Sequence, residues 1–130
     1  MYIRLYNKGY KRIAKFFYWL NRIFFSCDIP CSVVIGKNLR LPHFGLGVVI
    51  RPNTVIGDRV TIYHQVTIGT RTGERIFAHI GDDAMLGAGC KVLGGVKIGN
   101  HVKVGANSVV LNDIPDGATA VGIPAKVLHL

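Results

Sequence analysis

From residue 50 onward, aliphatic side chains return every six residues. Ile50, Ile56, Ile62, Ile68, Ile80, Leu86, Val92, Ile98, Val104 and Val110 keep one phase, and Glu74 is the position that breaks it. Four residues after each comes Thr54, Val60, Val66, Thr72, Ala84, Cys90, Val96, Val102, Ser108 or Ile114, and glycine directly follows at 57, 69, 81, 87, 99 and 105. A period of six matches neither an amphipathic helix nor a sustained two-residue alternation. It predicts short strands separated by turns. The aliphatic points inward, Gly, Asn or Asp occupies the turn where positive φ is needed, and the fourth-following residue enters a confined interior. One such unit buries its apolar face only by stacking on the next, so the pattern predicts an all-β solenoid. Residues 69–79 lack the pattern, yet Ile80 resumes it in phase. This segment reads as a loop thrown outward from one corner, a common place for function.

The first 25 residues follow a different rule. Ile3, Tyr6, Tyr10, Ile13, Phe17, Leu20 and Phe24 recur at helical steps, while Arg4, Lys8, Lys11, Lys15 and Arg22 do so on another face. The spacing predicts one amphipathic helix over residues 1–26, ended before Pro30, ahead of a β domain at 27–130. Nine of the twelve aromatics lie here, with six Lys/Arg and no acid before residue 28, so most of the net charge of +9 sits at this end. Two uses fit this helix: packing on the solenoid or a neighbouring subunit, and lying in a membrane interface with cations toward anionic lipid. Nucleic acid fits less well, since no recognition motif accompanies the charge.

Composition narrows the classes further. With 49% hydrophobic and 18% charged residues the chain has a real core and is not disordered. No stretch approaches the roughly 18 apolar residues of a membrane span, and no cleavable leader pattern is evident. Three cysteines without a C-x-x-C point to a reducing, cytoplasmic setting, with peripheral contact at the inner membrane face as an option.

The segments L-P-H-F-G-L-G-V-V-I (41–50), V-T-I-G (66–69), H-I-G-D-D-A-M-L-G-A-G-C-K-V-L-G-G-V-K-I-G-N (79–100), V-G-A-N-S-V-V-L (104–111) and V-G-I-P-A-K-V (121–127) resemble the hexapeptide-repeat acyltransferases. Their order is that of the serine O-acetyltransferase branch, and the pattern is nearest to the small exopolysaccharide and colanic-acid O-acetyltransferases of that branch. The resemblance implies a left-handed parallel β-helix of triangular section, three hexapeptides per coil, usually as a homotrimer with sites between subunits. Eighteen residues per coil would stack Ile50, Ile68, Leu86 and Val104 in one column. About five coils, roughly 4.8 Å apart, would fill residues 33–121, with the N-terminal helix covering one end.

The implied chemistry is acetyl transfer from acetyl-CoA to a hydroxyl, with no metal and no acyl-enzyme. A histidine suits the general base, since its ordinary pKa is ~6.5, and Gly-rich backbone N–H groups suit the oxyanion. His43 matches the family's base, in the turn before the G-V-V-I strand. His79 lies 36 residues on, two coils of eighteen, and so is expected on the same edge, in a catalytic or acceptor-binding role. His64 reads as a turn residue facing solvent or serving structure, and His101 and His129 as surface residues. Gly69, Thr70, Gly87, Ala88, Gly89 and Ala106 match the small-residue turns that take pantetheine, and Lys126 is placed to meet a CoA phosphate.

The acceptor expectation follows from departures. Where serine acetyltransferases carry an Asp before the base this chain has Pro42, and where they carry Arg-His in the loop it has Ile76 and Phe77. A zwitterion needs charged partners at both ends. The reading is therefore a neutral saccharide hydroxyl, in polysaccharide biosynthesis, read by Tyr63 and His79; an interfacial helix would also suit a lipid-linked saccharide. Serine is the alternative, with Arg71, Glu74 and Arg75 as substitutes. A zinc-dependent anhydrase on this fold is disfavoured because no H-x-x-x-x-H occurs, and a non-catalytic scaffold would not need His43 or the loop.

Overall fold

The computed structural model describes residues 2–129. Two helices come first, α1 (Tyr2–Asn7) and α2 (Lys11–Phe25). The sequence pattern predicts a single helix. Gly9, at φ 93°, breaks it, because that left-handed backbone cannot continue a right-handed helix. Ser26, also left-handed at φ 49°, ends α2.

Thirteen short strands follow: β1 (Val34–Ile35), β2 (Val49–Ile50), β3 (Val55–Ile56), β4 (Thr61–Ile62), β5 (Thr67–Gly69), β6 (His79–Ile80), β7 (Met85–Leu86), β8 (Lys91–Leu93), β9 (Lys97–Ile98), β10 (Lys103–Val104), β11 (Val109–Val110), β12 (Thr119–Gly122) and β13 (Ala125–Val127). They form three parallel faces, β1-β3-β6-β9, β4-β7-β10-β12 and β2-β5-β8-β11. Among the described residues only β13 runs antiparallel, folding back on β12. One isolated bridge adds a rung to each face, at Asp28, Arg40 and Ile114. The result is a prism of five rungs. Every in-phase aliphatic from Ile50 to Val110 is buried, and so are the fourth-following residues outside the loop, down to the hydroxyls of Thr54 and Ser108.

The columns differ from the eighteen-residue expectation. Ile50 and Ile68 do pair, but Ile68 stacks on Val92, and Leu86 stacks between Ile62 and Val104. The coil that contains the loop is 24 residues long, so the sixfold phase survives while every later residue moves on by one face.

One corner shows why a glycine precedes each turn. Asp58, Asp82, Asn100 and Asp116 stack there, and each Oδ1 accepts the backbone N–H one coil earlier: Lys37, Asp58, Asp82 and Asn100 donate at 2.7–2.8 Å. A Cβ at Gly36, Gly57, Gly81 or Gly99 would run into that ladder.

The helices cover the N-terminal end of the prism. Ala14 is fully buried, the Tyr2 hydroxyl donates to Ile29 O at 2.6 Å, and Tyr18 donates to Asp28 Oδ1 at 2.7 Å. Arg22 meets the other Asp28 oxygen at 3.3 Å. The packed face of α2 is thus Ala14, Tyr18, Asn21 and Phe25. Most of the expected stripe, Tyr10, Ile13, Phe17 and Phe24, points outward, beside exposed Phe16, Trp19 and Ile23. Among the described residues, no helix is long and apolar enough to cross a membrane.

Candidate functional site

The corner between the β4 and β2 faces departs from regularity in the first full coil. Arg40 pairs with Thr61 and Val49 with Thr67, so nine residues span this corner in the first full coil where six suffice in the next. The added length is taken up by a four-residue 3-10 turn, Pro42–Gly45, in which His43 and Phe44 both hold positive φ, 57° and 59°. Left-handed backbone is uncommon outside glycine, and two such residues in succession store strain of the kind found at functional sites. The turn pushes His43 into solvent while Gly45 stays buried against Cys27 and Leu41. Phe44 stacks on Phe25 of α2, with ring centroids 5.5 Å apart.

His43 meets another imidazole here. His64, in the next coil's turn, lies edge-to-face with it at 5.0 Å between centroids and 83° between planes. Its Nδ1 is the buried side-chain polar atom left without a hydrogen-bond partner among the described residues. The sequence gives His64 a solvent or structural role, and the 21-residue spacing from His43 conceals the pairing. A recognised three-residue expansion of the first turn would have revealed it.

The same corner continues through Gly87, Ala88 and Gly89 and then Ala106. Gln65 N donates to Leu46 O, Gly89 N to His64 O, and Asn107 N to Ala88 O, which ties the four turns into one edge. Four of the expected cofactor residues therefore stand in line with His43. Small side chains leave this edge open to a pantetheine arm. The glycine amides, however, are engaged: Gly87 N donates to Val104 O, Gly89 N to His64 O and Gly105 N to Ala120 O. They are not free to serve an oxyanion.

The remaining candidates lie elsewhere. Gly69 ends β5 opposite Leu93, and Thr70 follows it into the loop, at the corner between the β5 and β6 faces. His79 opens β6, paired with Val55 and Lys97, and its Nδ1 lies 3.3 Å from Phe77 O. It is not on the edge of His43, because the 24-residue coil moves it one face along. Lys126 is exposed on β13, opposite Val121. His101 faces Asp83 at 3.8 Å on the third corner, and His129 is exposed near the C-terminus.

The loop is held by a residue the sequence reading passed over. Arg51 donates to Ile76 O at 3.3 Å and Glu74 O at 3.4 Å, and its guanidinium lies 4.8 Å over the Phe77 ring. The Glu74 carboxylate accepts Gly95 N at 3.0 Å. Arg71 and Arg75 are exposed on this loop.

Cys90 is no nucleophile. It is buried in the core, and burial pushes its thiol up to about 12.

Comparison with known proteins extends this picture. The bacterial transferase hexapeptide (six repeats) family matches residues 77–112. A serine acetyltransferase of Staphylococcus aureus is 43% identical over 127 residues, 96% of this chain and 59% of its own length. One from Helicobacter pylori is 43% identical over 126 residues, 95% of this chain and 73% of its own. The crystal structure of a serine acetyltransferase from Brucella abortus, in complex with coenzyme A, superposes with a TM-score of 0.88 at 31% identity, covering 98% of this chain and 51% of that one. The prism is a left-handed parallel β-helix, as in these neighbours. The chain spans about three fifths of the length of the Staphylococcus aureus relative.

Proposed function

The chain belongs to the serine acetyltransferase family, and from that premise we propose that it transfers the acetyl group of acetyl-CoA to the hydroxyl of L-serine. The observation that carries this reading is the 43% identity to serine acetyltransferases along nearly the whole chain. It overturns the saccharide acceptor expected from Pro42, Ile76 and Phe77. The missing charges at those positions were a reason to doubt one subsite, and relatives matched over 95–96% of the chain outweigh them. Arg71, Arg75 and Glu74 supply both signs of charge on the loop for a zwitterion.

In this mechanism His43 takes the proton from the serine hydroxyl as its oxygen attacks the thioester carbon. The tetrahedral intermediate expels the CoA thiolate, which recovers the proton from His43. Coenzyme A in the Brucella abortus complex supports acetyl-CoA as donor. The open edge Gly87, Ala88, Gly89 and Ala106 is where we place its pantetheine arm. Thiol release in the presence of L-serine, against glycine and a panel of sugars, tests the acceptor. Release driven by a sugar and not by L-serine would refute it.

Assembly as a homotrimer, with sites between subunits, belongs to the same reading. The exposed aromatics of α2, among six Lys/Arg before residue 28, also fit an anionic lipid surface at the cytoplasmic face of a membrane. Sedimentation with phosphatidylserine vesicles and not with neutral ones is the expected result, and indifference to vesicle charge removes this reading.

A further inference from the structure

We propose that His64 is a second catalytic residue, whose Nε2–H donates to the oxyanion that forms on the thioester carbonyl. The inference rests on acetyl transfer at the His43 corner and adds to it a side-chain donor. Acyl transfer needs hydrogen-bond donors aimed at the developing oxyanion. Of the backbone N–H groups along this Gly-rich edge, those of Gly87, Gly89 and Gly105 already donate to Val104 O, His64 O and Ala120 O. The imidazole beside His43 is uncommitted.

Its geometry selects one nitrogen. Nδ1 is buried with no partner. Either tautomer leaves Nδ1 unpaired, but a hydrogen on Nε2 can meet solvent or a ligand, whereas one on Nδ1 can meet neither. We assign the hydrogen to Nε2, the ring nitrogen that is not among the buried unpartnered atoms. With the rings 5.0 Å apart and nearly perpendicular, the two imidazoles can address one tetrahedral centre from different sides. His43 accepts the hydroxyl proton as the O–C bond forms. The carbonyl π pair moves to oxygen and meets the His64 Nε2–H. Collapse restores the carbonyl and breaks the C–S bond, and the thiolate leaves with the proton held by His43. His64 keeps its proton throughout.

The test compares four proteins by initial rate, with folding checked by circular dichroism. His64→Leu is expected to lower kcat about 100-fold, with KM for acetyl-CoA within about threefold of wild type. His64→Gln sets an amide N–H near the Nε2 position and is expected to recover at least about tenfold of that loss, while His64→Asn, which mimics Nδ1, recovers none. A Leu variant within about threefold of wild type in kcat overturns the proposal, as does a Gln variant no better than Asn. If the Leu variant does not fold, Gln against Asn decides. Should the wild type transfer nothing to L-serine, the acceptor reading fails alone, and the same ratios are read from acetyl-CoA hydrolysis. Independently of turnover, long-range proton–nitrogen NMR is expected to show the Nε2–H tautomer for His64, and an Nδ1–H tautomer overturns the proposal outright.

Discussion

At the residue scale the informative positions are those where backbone and side chain disagree with a plain repeat. His43 holds a left-handed conformation that costs energy for any residue with a Cβ, and the imidazole it projects is the general base of the proposed transfer. His43→Ala is expected to lower kcat by about 10²–10⁴ while leaving the thermal midpoint nearly unchanged, since alanine keeps the strained Cβ, and steady-state kinetics beside a melting curve check both. Gly81 illustrates the opposite case. Its φ is ordinary, but a methyl group there meets the side chain and backbone of Asn100 one coil away. Gly81→Ala is expected to destabilise the chain by about 1–3 kcal/mol, read from the urea midpoint. The three thiols rank by the same physics. Burial raises Cys27, Cys31 and Cys90, with Cys90 pushed up to about 12, and only Cys31 is part-exposed. A raised thiol holds little thiolate at neutral pH. Iodoacetamide near pH 8 should therefore label Cys31 first and reach Cys90 only in denaturant, as peptide mass spectrometry will show.

At the element scale two segments matter, and the sequence exposed them unequally. The loop between β5 and β6 was visible because Glu74 sits where an aliphatic is due. Its fastening was not, because Arg51 acts through backbone carbonyls, which leave no sequence signature. Arg51→Met removes those bonds and the cation over Phe77. The expected outcome is faster hydrogen exchange across the loop, with protection in β3 and β6 retained, and a higher KM for the acceptor with kcat changed less. Unchanged exchange would mean that Glu74 at Gly95 N holds the loop alone. In α2 the reading by apolar periodicity chose the aromatic stripe, and the fold chose Ala14, Tyr18, Asn21 and Phe25. Close approach favoured the small Ala14, and Asp28 recruited Tyr18 and Arg22 through hydrogen bonds and charge. Hydrophobicity alone cannot register either effect.

At the scale of the whole molecule, a period of six determines the prism but not which face a given residue occupies. Both 18 and 24 are multiples of six, so an inserted unit leaves the phase intact and rotates everything after it. That is why Ile50 and Ile68 were placed correctly and Leu86 was not, and why His79 was assigned to an edge it does not share with His43. Likewise the expanded first turn hides the His43–His64 pair behind a spacing that matches no coil. The same architecture bears on assembly. Phe44, Leu46 and Val49 are exposed apolar residues on or beside the His43 corner, and Phe44 remains 76% exposed although it stacks on Phe25. Apolar side chains gathered around an open site are what a neighbouring subunit would cover. Sedimentation equilibrium is expected to give three copies of the 14.2 kDa chain. Phe44→Asp should shift the species toward monomer and abolish turnover, while the isolated chain keeps its β-helix by circular dichroism. A monomeric wild type with full activity would show that one prism edge suffices for the chemistry, and would move the pantetheine groove from between subunits onto a single chain.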